Sequence, residues 1–290
     1  MSGKSFGLLT YPMSHNLGDE IQSIAARRFL PRVDRLVDRD ALDTDPGRDV
    51  ALILNGWFLQ RPRHWPPHPR FAPLITSFHL DAKRSRRAPW RHSAAERLLR
   101  PGGVAYLKRH GPIGARDPAT LAMLHAHGIE SYHSGCLTLT LQRDDARPRD
   151  GGIVACDLAP DTLAALCRRV SQPVTITTHI DTATIGPQHR FAAAQSLLNT
   201  YARAEVVVTS RLHCLLPCLA LGTPVLFVTS HPHQPRLEPA MRLGHACTDR
   251  DFIAGRDGYD LAAPPPNPTA FTEFRDLLIE RCASAPQLAD

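Results

Sequence analysis

The sequence predicts an α/β protein with two parallel-sheet domains, and three observations carry that expectation. Short apolar runs rich in β-branched residues alternate with segments of helical spacing, the rhythm of strand–helix–strand units. The rhythm is interrupted at residues 142–150, a charged stretch with Pro148 and no apolar periodicity, and it restarts at Ile153. At 290 residues the chain is long enough for two domains of ordinary size. The expected division is 1–145 and 146–290, with the final helix free to cross back. A ligand is expected in the cleft that the two domains face.

Taken in order, residues 6–10 form the first strand. The loop 11–19, broken by Pro12 and Gly18, leads into a helix over 20–30 whose Ile21, Ile24, Ala25 and Phe29 share a face, capped by Asp19 or Asn16. A glycine-containing loop here lets backbone N–H groups approach an anion closely. Residues 33–37 are the second strand. A buried strand over 50–54 is broken by Asn55-Gly56, which leaves Trp57 and Phe58 in a loop at the carboxyl edge, facing a sugar or filling the core. Residues 61–69 are rich in Pro and Arg without periodicity, and 74–78 form another strand. A helix over 104–110 and a short strand ending in Arg116 and Asp117 follow. Pro118 then opens a helix that buries Leu121, Ala122 and Leu124 and stops at Gly128. Residues 130–133 read as a strand, and the alternation Leu137-Thr138-Leu139-Thr140-Leu141 as another.

In the second half, 153–156, 174–178, 206–208 and 225–228 are strands, and 160–170 and 188–204 helices. The long helix turns Phe191, Ala194, Leu197, Leu198 and Tyr201 inward. Between the last two strands, Leu212, Leu215, Leu216 and Leu219 give a short helix its buried side, with Ser210 as N-cap and Gly222 at the close. Beyond Val228 the chain is loop-rich, with three prolines at 264–266. A closing helix follows over 270–282.

Lysine and arginine number 34 against 28 acidic residues, a net charge of +6 that admits anionic partners. Neither a zinc finger nor an RNA-binding signature is present, which sets nucleic acid aside. Fifteen histidines and seven cysteines show no metal-ligand spacing, so no metal is expected. Cys156, Cys167, Cys214 and Cys218 lie in apolar segments, as reduced core thiols do, and the odd count favours a reducing, cytoplasmic setting. No apolar run approaches the roughly eighteen residues of a membrane span, and the N-terminus reads as a strand rather than a signal peptide. One stretch is strongly basic: Lys83, Arg84, Arg86, Arg87, Arg91, Arg97 and Arg100 face only Asp81 and Glu96. It suits either a solvated surface or peripheral contact with anionic head groups at the inner face of a membrane.

The chemistry points to residues 205–228. Arg211 and His213 fall on the first turn of a helix beyond the carboxyl end of a strand, where open α/β sheets bind ligands. The helix N-terminus favours an anion, and Arg211 adds a planar fork for carboxylate or phosphate. His213 titrates near neutrality.

Three stretches together resemble the polysaccharide pyruvyl transferase family: HNLGDEIQS, then GARDPATLAMLHAHGI with SGCLTLTL, then VVVTSRLHCLLPCLALGTPVLFV. The resemblance implies two Rossmann-like domains arranged as in GT-B glycosyltransferases. It implies transfer of a pyruvyl group from phosphoenolpyruvate, as donor substrate and without a cofactor, to hydroxyls of a saccharide. On that reading Arg211, Ser210 and Leu212 bind the donor, with Arg116 of the Arg-Asp motif as the second cation. His213 moves the proton, assisted across the same cleft by His179 at the end of the 174–178 strand, and Asn16, Gly18 and Asp19 shape the acceptor side with Trp57. The same residues also suit a GT-B glycosyltransferase with a nucleotide-sugar donor, or a non-catalytic anion-binding protein of that fold.

Overall fold

The strands β1 (Ser5–Thr10), β2 (Arg35–Asp38), β3 (Val50–Phe58), β4 (Phe71–Leu80), β5 (Ile113–Ala115) and β6 (Ser131–His133) form one parallel sheet in the order β2-β1-β3-β4-β5-β6. The computed structural model describes residues 4–58, 60–83, 92–144, 148–182 and 186–289. The helices α1 (Gly18–Arg27), α2 (Ala94–Leu98), α3 (Pro101–Arg109) and α4 (Pro118–Ala126) accompany these strands. Residues on both faces of β3 are buried, which is why residues 50–54 are an unbroken apolar run rather than an alternation. Aromatic rings fill the core beside it: Phe58 and Phe78 lie 4.8 Å apart, and Trp65 meets Tyr106 edge-on at 5.4 Å.

Two local expectations are corrected. Asn55-Gly56 does not end the strand. Gly56, at φ 91°, takes up a bulge between Leu54 and Gly56, and β3 runs on to Phe58. Trp57 therefore sits on a strand, its ring 5.3 Å from the buried Arg39 guanidinium, whose Nη1 donates to the Trp57 carbonyl at 3.1 Å. Residues Leu137–Thr140 form a 3₁₀ turn, not a strand. Their leucines and threonines alike are buried, so the alternation does not mark one wet face and one dry face.

The second sheet is also parallel, with β7 (Ile153–Cys156), β8 (Val174–Thr177), β9 (Val206–Thr209), β10 (Val225–Thr229) and β11 (His245–Thr248) in the order β11-β10-β9-β7-β8. Its helices are α5 (Pro160–Arg169), α6 (Pro187–Arg203), α7 (Leu212–Ala220), α8 (Glu238–Leu243) and α9 (Asp249–Ile253), and the chain closes with α10 (Thr272–Ala283). Sequence patterning missed β11, whose four residues are half-buried and mixed in character. Cys167, expected in the core, is exposed on α5.

By packing, Met1–Ser14, Gln22–Leu137 and Asp276–Asp290 belong to one unit, and His15–Ile21 and Thr138–Arg275 to the other. The C-terminal return is held locally: Gln287 donates to the Pro73 carbonyl at 3.1 Å and Lys4 to that of Pro286 at 3.2 Å. Among the described residues no helix is long and apolar enough to cross a membrane. Of the basic stretch, Arg84, Arg86, Arg87 and Arg91 lie outside the described residues.

Candidate active site

In the second sheet β7 is flanked by β8 on one side and β9 on the other, so the connections leave β7 in opposite directions. Such a reversal opens a crevice at the carboxyl ends of the two central strands, the usual ligand position of doubly wound sheets. Here those ends deliver Asp157, directly after β7, and Ser210 and Arg211, directly after β9.

Asp157 is the hub. Its backbone has φ 50°, a left-handed conformation that a non-glycine residue adopts only when its surroundings hold it. Three donors do so at the carboxylate: Thr178 Oγ1 at 2.6 Å, the His179 N–H at 2.9 Å and Arg211 Nε at 2.8 Å. The Ser210 hydroxyl donates to the Asp157 carbonyl. Burial by itself pushes the carboxyl up. The Thr178 hydroxyl, the His179 N–H and Arg211 outweigh it and hold Asp157 below the usual carboxylate range.

Arg211, not Ser210, is the N-cap of α7, because Ser210 spends its hydroxyl on Asp157. The Arg211 N–H is held by Thr209 Oγ1 at 3.0 Å, and its carbonyl accepts from Cys214 and Leu215. Asp157 thus fixes the Nε edge of the guanidinium of a side chain that is 34% exposed. Among the described residues no other hydrogen bond engages that group, so its outer edge suits an anion.

His213 stands in the first turn of α7, half-buried. The segment 15–21 lies against it. Leu17 donates to the His179 carbonyl and Asp181 to that of His15, both at 2.8 Å, and Asn16 forms an antiparallel bridge with Ile180. This brings the Gly18 backbone so near the imidazole that a Cβ there would stand 3.0 Å from His213 Cβ and Nδ1. The segment is anchored by Glu20, which receives Arg190 in a buried two-pronged pair at 2.7 and 2.8 Å.

Of the residues singled out from sequence, Asn16, Gly18, Asp19, His179, Ser210, Arg211, Leu212 and His213 thus all belong to the second unit. His179 departs from expectation. Its ring is only 1% exposed, packed in the core with Nε2 against the Tyr201 hydroxyl at 2.9 Å, so its backbone rather than its imidazole serves the site. Arg116 and Trp57 belong to the first unit. Arg116 is 6% exposed, with its Nε 4.0 Å from Asp117. Asp117 caps α4 through Thr120 and binds His79 Nδ1 at 2.5 Å. Burial raises the Asp117 carboxyl, but the His79 hydrogen bond, the charges of His79 and Arg116, and the Thr120 N–H bring it down to about 2.

Asp157, the Glu20–Arg190 pair and His79 were not found from sequence. Each is defined by partners more than twenty residues away. A pattern of neighbouring residues carries no trace of them.

The profile of one family, polysaccharide pyruvyl transferase, matches residues 16–232. The chain belongs to that family. The match runs from Asn16 through the Arg211-Leu212-His213 turn, so it takes in Asp157, Arg211, His213 and the Glu20–Arg190 pair. Family membership makes the protein a transferase of the pyruvyltransferase type and implies a saccharide acceptor. Among solved structures, the chain resembles the UDP-GlcNAc 2-epimerase of Methanocaldococcus jannaschii, solved in complex with UDP-GlcNAc and UDP. The two are 10% identical over 96% of this chain and 98% of that one, with a TM-score of 0.45. A search of the curated proteins found no match.

Proposed function

We propose that this protein moves the pyruvyl group of phosphoenolpyruvate onto two hydroxyls of a saccharide, forming a ketal and releasing phosphate. The observation that supports this most is the Asp157–Arg211 pair, which fixes a guanidinium at the start of the helix that carries His213. Phosphoenolpyruvate carries two anionic groups on a three-carbon unit. Arg211 and the first turn of α7 suit one of them. The other calls for a second cation, which the reading assigns to Arg116 by its place in the Arg-Asp motif.

The atoms balance without a redox partner. One hydroxyl oxygen bonds to C2 of the enol phosphate and gives up its proton, while C3 gains a proton and becomes a methyl group. The C2–O bond to phosphate then breaks, the second hydroxyl oxygen takes its place, and its proton leaves with the phosphate. His213 is the group assigned to carry a proton between hydroxyl and donor. Asn16, Gly18 and Asp19 are assigned to shape the space at that imidazole. No step calls for a cofactor, since arginines neutralise the donor.

Phosphate release from phosphoenolpyruvate in the presence of a panel of glycosides tests the reading. Proton transfer of this kind contributes about 10²- to 10⁴-fold in rate, and His213→Ala is expected to lose that much without unfolding. Near-unchanged turnover in that variant removes His213 from the reaction. Transfer supported by a UDP- or GDP-hexose, and not by phosphoenolpyruvate, overturns the donor assignment.

A further inference from the structure

Behind the active site lies a group of side chains that the proposed reaction does not use. The Sγ atoms of Cys156 and Cys214 and a ring nitrogen of His179 lie within 4.8 Å of one another. They come from three places that are far apart in sequence: the last residue of β7, the segment after β8 and the first turn of α7. All three side chains are buried.

The hydrogen bonding around them is incomplete in an informative way. The Tyr201 hydroxyl donates to Cys156 Sγ at 3.3 Å and stands 2.9 Å from His179 Nε2. A hydroxyl has one hydrogen; when it is directed to sulfur, Nε2 carries the ring proton toward the tyrosine oxygen. In that arrangement the imidazole is the tautomer whose Nδ1 bears a lone pair, the form that binds a cation. Nδ1 is buried and has no hydrogen-bond partner among the described residues. A buried acceptor without a donor is costly, and a cation is one way to satisfy it. The outer contact to the ring is of the kind that orients a metal-binding histidine.

We propose that the second unit binds one zinc ion through Cys156, Cys214 and His179, tying the ends of β7 and β8 to the start of α7. Two sulfurs and an imidazole select a thiophilic, borderline-soft cation over magnesium or calcium. Tetrahedral zinc, with a water in the fourth position and with Zn–S near 2.3 Å and Zn–N near 2.0 Å, holds its protein donor atoms about 3.5–3.8 Å apart, so the group needs to draw in by roughly 1 Å. Each thiol gives up its proton to solvent as the bond to zinc forms. Two thiolates cancel the charge of the ion, which leaves the buried set neutral. Because Asp157 follows Cys156 and Cys214 follows His213, the ion would brace the backbone directly behind both groups of the active site.

The test uses the full chain, reduced and stripped of metal with a chelator, titrated with cobalt(II) alone. One equivalent is expected to give a near-ultraviolet thiolate-to-cobalt band, which one equivalent of zinc(II) abolishes. Cys156→Ser and Cys214→Ser are expected to lose the band, and Cys247→Ser to keep it. Tyr201→Phe, which removes the outer contact, is expected to weaken zinc binding by about 10- to 100-fold. A reduced wild-type protein that stays silent to cobalt overturns the proposal, as does a band that survives both cysteine changes. X-ray absorption of the zinc-loaded wild type needs no variant. Two sulfurs and one imidazole in the zinc shell are expected, and any other sulfur count overturns the assignment.

Discussion

Replacing Gly18 with alanine separates the chemistry of His213 from the stability of the fold. The added Cβ would lie 3.0 Å from both Cβ and Nδ1 of His213, and 3.1 Å from Asn16 Oδ1. Ordinary carbon contacts begin near 3.5 Å, so the imidazole has to retreat by about 0.5 Å. A misplacement of about 1 Å at a reacting group costs on the order of 10²-fold, and half of that displacement points to a loss of about tenfold in turnover. Stability moves the other way or not at all. Gly18 begins α1, and alanine in place of glycine in a helix contributes up to about 1 kcal/mol, which offsets the crowding. Initial rates of phosphate release, with thermal unfolding alongside, read both quantities. The same change made on a His213→Ala background should cost less in turnover, because the ring contact is gone and only the Cβ and Asn16 contacts remain. An equal loss on that background, or full activity in Gly18→Ala with the fold intact, refutes the argument.

Three other outcomes are expected. His213→Ala lowers turnover by about 10²- to 10⁴-fold with an unchanged unfolding temperature, checked by phosphate release and calorimetry. Glu20→Gln leaves the buried Arg190 guanidinium without its paired carboxylate, and denaturant unfolding should show a loss of about 3 kcal/mol. Asp117 titrates at about 2 in the folded protein against 3.8 for the free side chain. Its contribution, on the order of 2 kcal/mol, is therefore fully present above pH ~4 and is lost as the pH falls toward ~2. Asp117→Asn should flatten stability against pH in that window, as followed by circular dichroism.

The sequence by itself determined what depends on local pattern. Unbroken β-branched runs such as residues 206–208 specify strands buried on both faces, and apolar residues three and four apart specify the helix that carries Arg211 and His213. Parallel order follows from alternation of the two, and for the same reason the Arg-Leu-His turn was legible as a helix start beyond a strand end. The tertiary structure decided what depends on residues distant in sequence. It put His179 in the core, because its ring finds Tyr201 on α6. It moved the helix cap from Ser210 to Arg211, because Asp157, more than fifty positions earlier, accepts the serine hydroxyl. It set Gly18 against His213 and gathered Cys156, Cys214 and His179 from three separate segments. Spacing along a chain encodes which face a residue turns outward. Which side chain waits on the far side of that face is settled only when the sheets assemble.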